Sequence, residues 1–348
     1  MIAVSRTSGT HVADYELFLE RCPDALIYHT PSYHDVLSRI CDTAEPVLLA
    51  AWRNNSITGA MTFFLKSGEC GAVANASPYF GSHGDILIAS DEPEPDMVAD
   101  RLGREFADFC RRDGVAAANV VCHPLRPRFA ALAEVYNFKK WDSRIGQISH
   151  LPEARSVAPL DLVLAGCHQK TRNLVRKGLR AGFAIEVSDK DCDWENLCRY
   201  HSLGMERIGG RAKLPHEFQS LRAALKSQCR LYVARKDGVF AGALLNLYFR
   251  DWIEYFTPVS VDAFRSEQVL SALIATAMCD ALRDGSRVWN WGGTWSTQAG
   301  VYHFKKGWGA KDYPYDYCGA IWNENLASLS PDMLDAQFRY FYVLPYKR

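Results

Sequence analysis

The sequence predicts an α/β protein made of two similar halves, each an open mixed sheet (α+β in character) flanked by helices. Three observations lead there. Residues 48–60, LLAAWRNNSITGA, lie without a gap over residues 231–243, LYVARKDGVFAGA. The string VYNFKK at 135–140 is answered by VYHFKK at 301–306, in the same order relative to the first match. Between the two matches, each half holds a helix pattern followed by a short strand pattern.

Each element has a local reason. In both copies of the first match a short apolar run meets turn residues, Asn54-Asn55 or Asp237-Gly238, and a second apolar run follows, which predicts a β-hairpin. Helices are expected over 97–112 and 267–284. The second is marked by Val269, Leu270, Leu273, Ile274, Ala277, Met278, Ala281 and Leu282 at helical spacing, with Ser266 available as N-cap. Strands are expected at 116–121 and 287–291. Residues 151–159, LPEARSVAP, interrupt the pattern with two prolines, Pro152 and Pro159, and a polar stretch. The expected domains are therefore 1–155 and 156–348, with the active site in the second.

Composition excludes several classes. With 348 residues, 48% of them hydrophobic, the chain can fill the cores of two ordinary domains. Lys+Arg and Asp+Glu both number 40, so no global field draws it to nucleic acid or to an anionic membrane; any such partner must meet a local patch. The 11 cysteines are scattered without a C-x-x-C pair, a pattern suited to reduced thiols and poorly suited to a zinc site or a disulfide framework. No apolar run of about 18 residues occurs, so no membrane span is expected and the expected location is the cytoplasm.

Four segments carry chemistry. Residues 168–180, HQKTRNLVRKGLR, hold five basic residues and no acid. As a helix they put Val175 and Leu179 on one face and Lys170, Arg176, Lys177 and Arg180 on a neighbouring arc, with Arg172 in the first turn. Such an arc suits the phosphates of a nucleotide-linked acceptor or of a tRNA acceptor stem; a solvated helix face is the competing reading. Arg207 precedes Gly209-Gly210, which end a helix, and a helix C-terminus also favours a cation. Trp291-Gly292-Gly293-Thr294 leaves a strand, and its glycines would open a splay where substrates meet; a simple glycine turn is the alternative. Finally, acyl transfer to an amine passes through an oxyanion that a fixed cation stabilises, and Lys305 is the candidate for that cation. Tyr302 and Phe304 either line the site with it or anchor the core. Gly307 and Gly309 follow only the second copy of the motif and would permit close approach of backbone to ligand. Glu254, Asp316 and His303 are possible proton acceptors, and none is assigned that role.

The order of elements, duplicated, with KTRNLVRK at 170–177, RIGG at 207–210, WGGT at 291–294 and FKKGWG at 304–309, resembles the Fem-like tandem GNAT acyltransferases over most of residues 30–320. The resemblance implies two GNAT-like domains and an N-acyltransferase that moves an aminoacyl or acyl group from an activated donor to the amine of a nucleotide-linked or sugar-linked cell-envelope precursor. It implies that Lys305 lies beside the donor carbonyl or acceptor stem, that Lys306 takes a phosphate and that Arg207 binds the acceptor. No resident cofactor is implied, only a cosubstrate, aminoacyl-tRNA or acyl-CoA. Acetyl-CoA-dependent members place glycines ahead of the crossover helix to cradle a pyrophosphate. Here that place reads Asp262-Ala-Phe-Arg-Ser-Glu-Gln268, which favours aminoacyl-tRNA. An acyl-CoA-dependent N-acetyltransferase and a catalytically inactive binding module are the alternatives.

Overall fold

The computed structural model describes residues 2–7, 12–153 and 158–343. The first half of the chain forms strands β1 (Ala3–Thr7), β2 (Glu45–Arg53), β3 (Ser56–Gly68), β4 (Gly71–Ala76), β5 (Leu87–Ile88), β6 (Val115–Val121) and β7 (Lys139–His150). The second forms β8 (Ala184–Val187), β9 (Cys229–Lys236), β10 (Val239–Phe249), β11 (Trp252–Ser260), β12 (Val288–Thr294) and β13 (Lys311–Ile321). Both expected hairpins form, β2–β3 and β9–β10. Their two-residue turns have positive φ at both positions, 50° and 62° at Asn54-Asn55 and 50° and 77° at Asp237-Gly238. That is the type I′ requirement that Asn, Asp and Gly satisfy best.

Two compact units result, Met1–Arg144 with Pro314–Arg348, and Ile145–Tyr313. In the first, the sheet runs β1-β2-β3-β4-β6 and ends on residues 317–321 of β13, with β5 beside β3. The helix Pro95–Arg112 covers one face of it through Val98, Leu102 and Phe106, against Phe63, Phe129 and Phe138. In the second, residues 145–150 of β7 lead the order β7-β12-β11-β10-β9-β8. The expected domain boundary between 155 and 156 lies outside the described residues. The units themselves change over at 144/145 and 313/314, because residues 145–150 pair with β12 and residues 317–321 with β6. Sequence order alone carries no sign of that exchange.

The crossover helix of the second unit is Val269–Arg283, buried along most of its length among Tyr232, Leu244, Ile253, Trp289 and Trp291. Its N-cap is Gln268, left-handed at φ 66°, and not the expected Ser266. Ser266 is spent as the helical C-cap of a preceding short helix, Asp262–Arg265, and so stands one turn too early. The helices Asp191–Arg207 and Pro215–Leu225 belong to the same unit. Among the described residues no helix is long and apolar enough to cross a membrane.

Candidate active site

Strands β11 and β12 run parallel only through Trp252↔Val288, Ile253↔Trp289 and Glu254↔Asn290, and then part. On its other side β12 pairs with β7, where the register shifts between Asn290 and Gly293, so that Trp291 and Gly292 together oppose Gln147. Gly292, at φ 72°, takes the left-handed conformation of this bulge. A bulge bends its strand, and this one lies just past the point where β12 leaves β11, at the mouth of the fork between the two strands.

The apex of the fork is locked by a buried polar chain. The Glu254 carboxylate accepts Trp252 Nε1 at 2.6 Å and Asn290 Nδ2 at 2.8 Å, and Asn290 Oδ1 accepts the backbone N–H of Gly292 at 3.0 Å. Both carboxylate oxygens thus hold structure in place, which argues against Glu254 as a base. Asp316, the other carboxylate among the possible proton acceptors, lies in the first unit and pairs with Lys140 at 2.7 Å.

Lys305 is buried, 5% exposed, on the helix Ala299–Gly307. Its ammonium donates to Gly292 O at 3.1 Å, Gly293 O at 3.2 Å and Thr294 Oγ1 at 2.8 Å. Three donors meet three neutral acceptors, and burial pushes the ammonium down to about 8. The Thr294 hydroxyl passes its own proton to Gln147 Oε1 at 2.9 Å, and Gln147 Nε2 reaches Tyr302 O at 3.2 Å. A closed circuit therefore ties the motif helix to both strands that flank the bulge. Gln147, and with it Ser149, which bridges Trp291 Nε1 and Trp308 O, escaped the sequence reading because both stand in the first half of the chain. The only available signal was the alternation of polar and apolar residues along 146–150.

The rest of the motif divides between site and scaffold. Phe304 is 38% exposed and meets Trp291 edge-on at 6.0 Å. Tyr302 donates to Asp312 Oδ2 at 2.7 Å, and Lys306 stands 3.5 Å from Asp312, so a phosphate at Lys306 would compete with that carboxylate. Gly307 and Gly309 approach the protein's own chain, contrary to the expectation that they admit a ligand. A Cβ on Gly307 would lie 2.5 Å from Thr171 Oγ1, and one on Gly309, at φ 76°, 2.3 Å from Gly166 O. Trp308 between them is buried. In the first copy, Val135 and Tyr136 fall in a 3₁₀ turn, Asn137 is left-handed, Phe138 enters the core and Lys139 and Lys140 are exposed on β7. Equal letters at the same topological place therefore build different local structures, and only the second copy buries its lysine.

The basic segment forms the helix Gln169–Arg180, with Thr171, Val175 and Gly178 on the buried face and Leu179 39% exposed. A Cβ on Gly178 would meet Gln268 O at 2.6 Å. Through Thr171 at one end and Gly178 at the other, this helix touches the end of the motif helix that follows β12 and the start of the crossover helix that follows β11. It therefore packs against the helices that follow the two arms of the fork. Lys170, Arg176, Lys177 and Arg180 are exposed and, among the described residues, have no carboxylate partner. Arg172 instead caps its own turn, donating to Cys167 O at 2.7 Å and to Gln169 Oε1 at 2.6 Å. Other exposed arginines of the unit do pair, as Arg222 with Asp189 at 2.7 Å.

Arg207 ends the helix Asp191–Arg207 and grips Asp262, on the loop before the crossover helix, with two bonds of 3.0 and 2.6 Å. Those bonds hold the Asp262 carboxyl below the usual carboxylate range.

Residues 165–306, which contain the basic helix, the fork and Lys305, match the family model described as an acetyltransferase (GNAT) domain. The second unit is a GNAT acyltransferase domain. Among solved structures, one titled as FemX superposes with a TM-score of 0.73 at 14% identity, over 93% of this chain and 99% of its own. A tandem GNAT protein from the clavulanic acid biosynthesis pathway gives 0.57 at 13% identity, over 92% and 98%. The C-terminal domain of a putative lysylphosphatidylglycerol synthetase from Agrobacterium fabrum also gives 0.57, at 14% identity over 97% and 100%. The fold is thus the Fem-like tandem GNAT fold, with helices flanking the mixed strand order of each unit. No curated protein matches the chain at significance.

Proposed function

We propose that the GNAT domain moves an aminoacyl or acyl group from an activated donor to the amine of a cell-envelope precursor or related metabolite in the cytoplasm, and that aminoacyl-tRNA is the favoured donor. The observation that carries this reading is the arc of Lys170, Arg176, Lys177 and Arg180, without a carboxylate partner among the described residues, on a helix packed against the helices that follow both arms of the fork. A run of phosphates satisfies four such cations where a single small anion does not. The loop before the crossover helix supports the same donor. It has no glycine, and it places the Asp262 carboxylate, bridged to Arg207, where a pyrophosphate would be repelled.

In this reading the donor ester lies in the fork with its carbonyl toward β12. The amine attacks, the C–N bond forms, and negative charge gathers on the carbonyl oxygen. Lys305, behind the Gly292 and Gly293 carbonyls, supplies a positive charge in a low-dielectric setting, where such a charge is most effective. It contacts the oxyanion directly once it exchanges one of its present acceptors. The C–O bond then breaks and the ribose oxygen leaves with a proton. Arg172, Arg176 and Lys177 would hold donor phosphate and Lys306 a further one. Gly292, Gly293, Tyr302 and Phe304 would line the acyl path, and Arg207 would take the acceptor.

One observation favours acyl-CoA instead. The crossover helix has no side-chain N-cap bond, so its first backbone N–H groups remain available to a pyrophosphate. The deciding experiment incubates the protein with labelled aminoacyl-tRNA or acyl-CoA, each with and without an amine. Amine-dependent loss of label from tRNA is expected. Loss only from CoA establishes the second reading, and no amine-dependent loss from either defeats both.

A further inference from the structure

The proton that the acceptor ammonium must lose has no assigned destination, since Glu254 is locked at the apex. Along β11, Trp252, Glu254 and Phe256 alternate with Ile253 and Tyr255. Ile253, with Tyr255, packs with the crossover helix, whereas Phe256 sits where β11 slips register against β10, and its ring meets the loop that follows the helix Asp191–Arg207. Over its ring, 4.7 Å from the centroid, stands Lys213 Nζ, from the loop that joins that helix to Pro215–Leu225. Phe256 lies just past the last residue paired to β12, so Lys213 covers the β11 arm of the fork.

The loop holds this lysine firmly. The Lys213 backbone N–H donates to His201 Nε2 at 3.0 Å, and the next N–H, of Leu214, donates to Glu217 Oε2 at 3.1 Å. His201 and Glu217 are both buried, and His201 stays neutral because burial lowers its imidazole to about 4. Among the groups around Lys213 are a neutral imidazole, the Glu217 carboxylate and an aromatic ring. Burial pushes the ammonium down to about 8, against the opposing pull of Glu217. The residue as a whole is half-buried.

We propose that Lys213 takes the proton of the acceptor ammonium from the β11 side of the fork, opposite Lys305 on the β12 side. The inference rests on the acyl-transfer reading. The neutral Lys213 amine accepts one proton from R–NH₃⁺, and the resulting R–NH₂ attacks the acyl carbon. The second nitrogen proton goes to the leaving oxygen, and Lys213 returns its own to water. Charge and atoms balance without a further reagent.

Two acceptors separate this role from a structural one: an ordinary alkylamine, protonated at neutral pH, and a weakly basic alkoxyamine, already neutral there. Lys213→Met is expected to slow transfer to the alkylamine about 100-fold and to leave the alkoxyamine within a few fold. Lys213→Arg, which keeps the charge over Phe256 but cannot deprotonate, is expected to do the same. Equal loss with both acceptors, or no loss with either, overturns the proposal. A separate readout guards against failure of the acyl-transfer reading itself, which would appear as no turnover by the unaltered protein. Competitive labelling with acetic anhydride, read by mass spectrometry, is expected to show Lys213 gaining reactivity with a midpoint near 8. A midpoint near that of ordinary surface lysines overturns the proposal whatever the donor.

Discussion

Lys305 and Thr294 are joined by a 2.8 Å hydrogen bond that links the motif helix to the end of β12. The ammonium has no carboxylate to balance it there, so its charge is a cost that the fold carries. The sign follows from linkage. The folded value lies near 8, below the ordinary 10.5, so between these pH values the unfolded chain binds more protons and stability rises with pH. Lys213 behaves alike. Buried cysteines raised above their ordinary value oppose this, because the native state keeps protons that the unfolded chain loses. The test is therefore a difference: in urea unfolding at pH 8 and pH 10, Lys305→Met should lose stability relative to the unaltered protein as pH rises. An identical pH response in the variant contradicts the buried, charged state of Lys305.

Gly309 tests what the glycines after the motif are for. With φ 76° and Gly166 O at 2.3 Å from an added Cβ, Gly309→Ala should cost about 1–3 kcal/mol and lower the melting temperature by several degrees. An unchanged melting temperature with a raised KM for donor would instead return Gly309 to the ligand.

The first unit should be acid-sensitive. Burial lowers His29 to about 3 and His34 and His83 to about 4, and holds His123 well below the ordinary 6.5. These imidazoles are neutral in the fold, so as pH falls from 6.5 toward 4 the unfolded chain gains protons that the native one refuses. Asp85, raised by burial to about 7 despite three backbone N–H donors, opposes them with one proton. Hydrogen exchange in β2–β4 should quicken as pH is lowered through this window, after correction for intrinsic rates. His34→Phe, which keeps the contact with Phe64, should blunt the effect. Equal acid response in the variant would exclude His34.

Arg207 is available to an acceptor only when Asp262 releases it. The pair is exposed, so Asp262→Asn should leave the melting temperature nearly unchanged. If the acceptor is anionic, its KM should fall a few fold. A raised KM would show instead that the ion pair orders the loop for binding.

Much of the fold was legible because its signals are local. Asn54-Asn55 and Asp237-Gly238 announce their turns, and the Val269–Arg283 helix announces its apolar face. The duplication followed from these. What stayed hidden depends on pairing distant in sequence. Nothing in residues 145–150 or 317–321 says which sheet they join, and so Gln147 and Ser149 were not seen to support Lys305. The motif misled in one respect. VYxFKK repeats, but Asn137 adopts φ 63° and turns the first copy out of the helix that His303 continues in the second. The glycines at 292 and 293 fall at a bulge in the strand, whereas those at 307 and 309 approach the chain's own atoms. A string of letters does not show whether the neighbour a glycine admits is a ligand or the chain itself.

The most direct test of the account is single-turnover acyl transfer by the unaltered protein and by Lys305→Met, at saturating donor and acceptor, with folding checked by the β-sheet signal. Loss of a fixed cation at a developing oxyanion should slow the chemical step about 100–1,000-fold, with donor affinity changed little. A variant that folds and transfers at the unaltered rate would show that Lys305 only braces the fork, and that the charge which stabilises the oxyanion lies elsewhere.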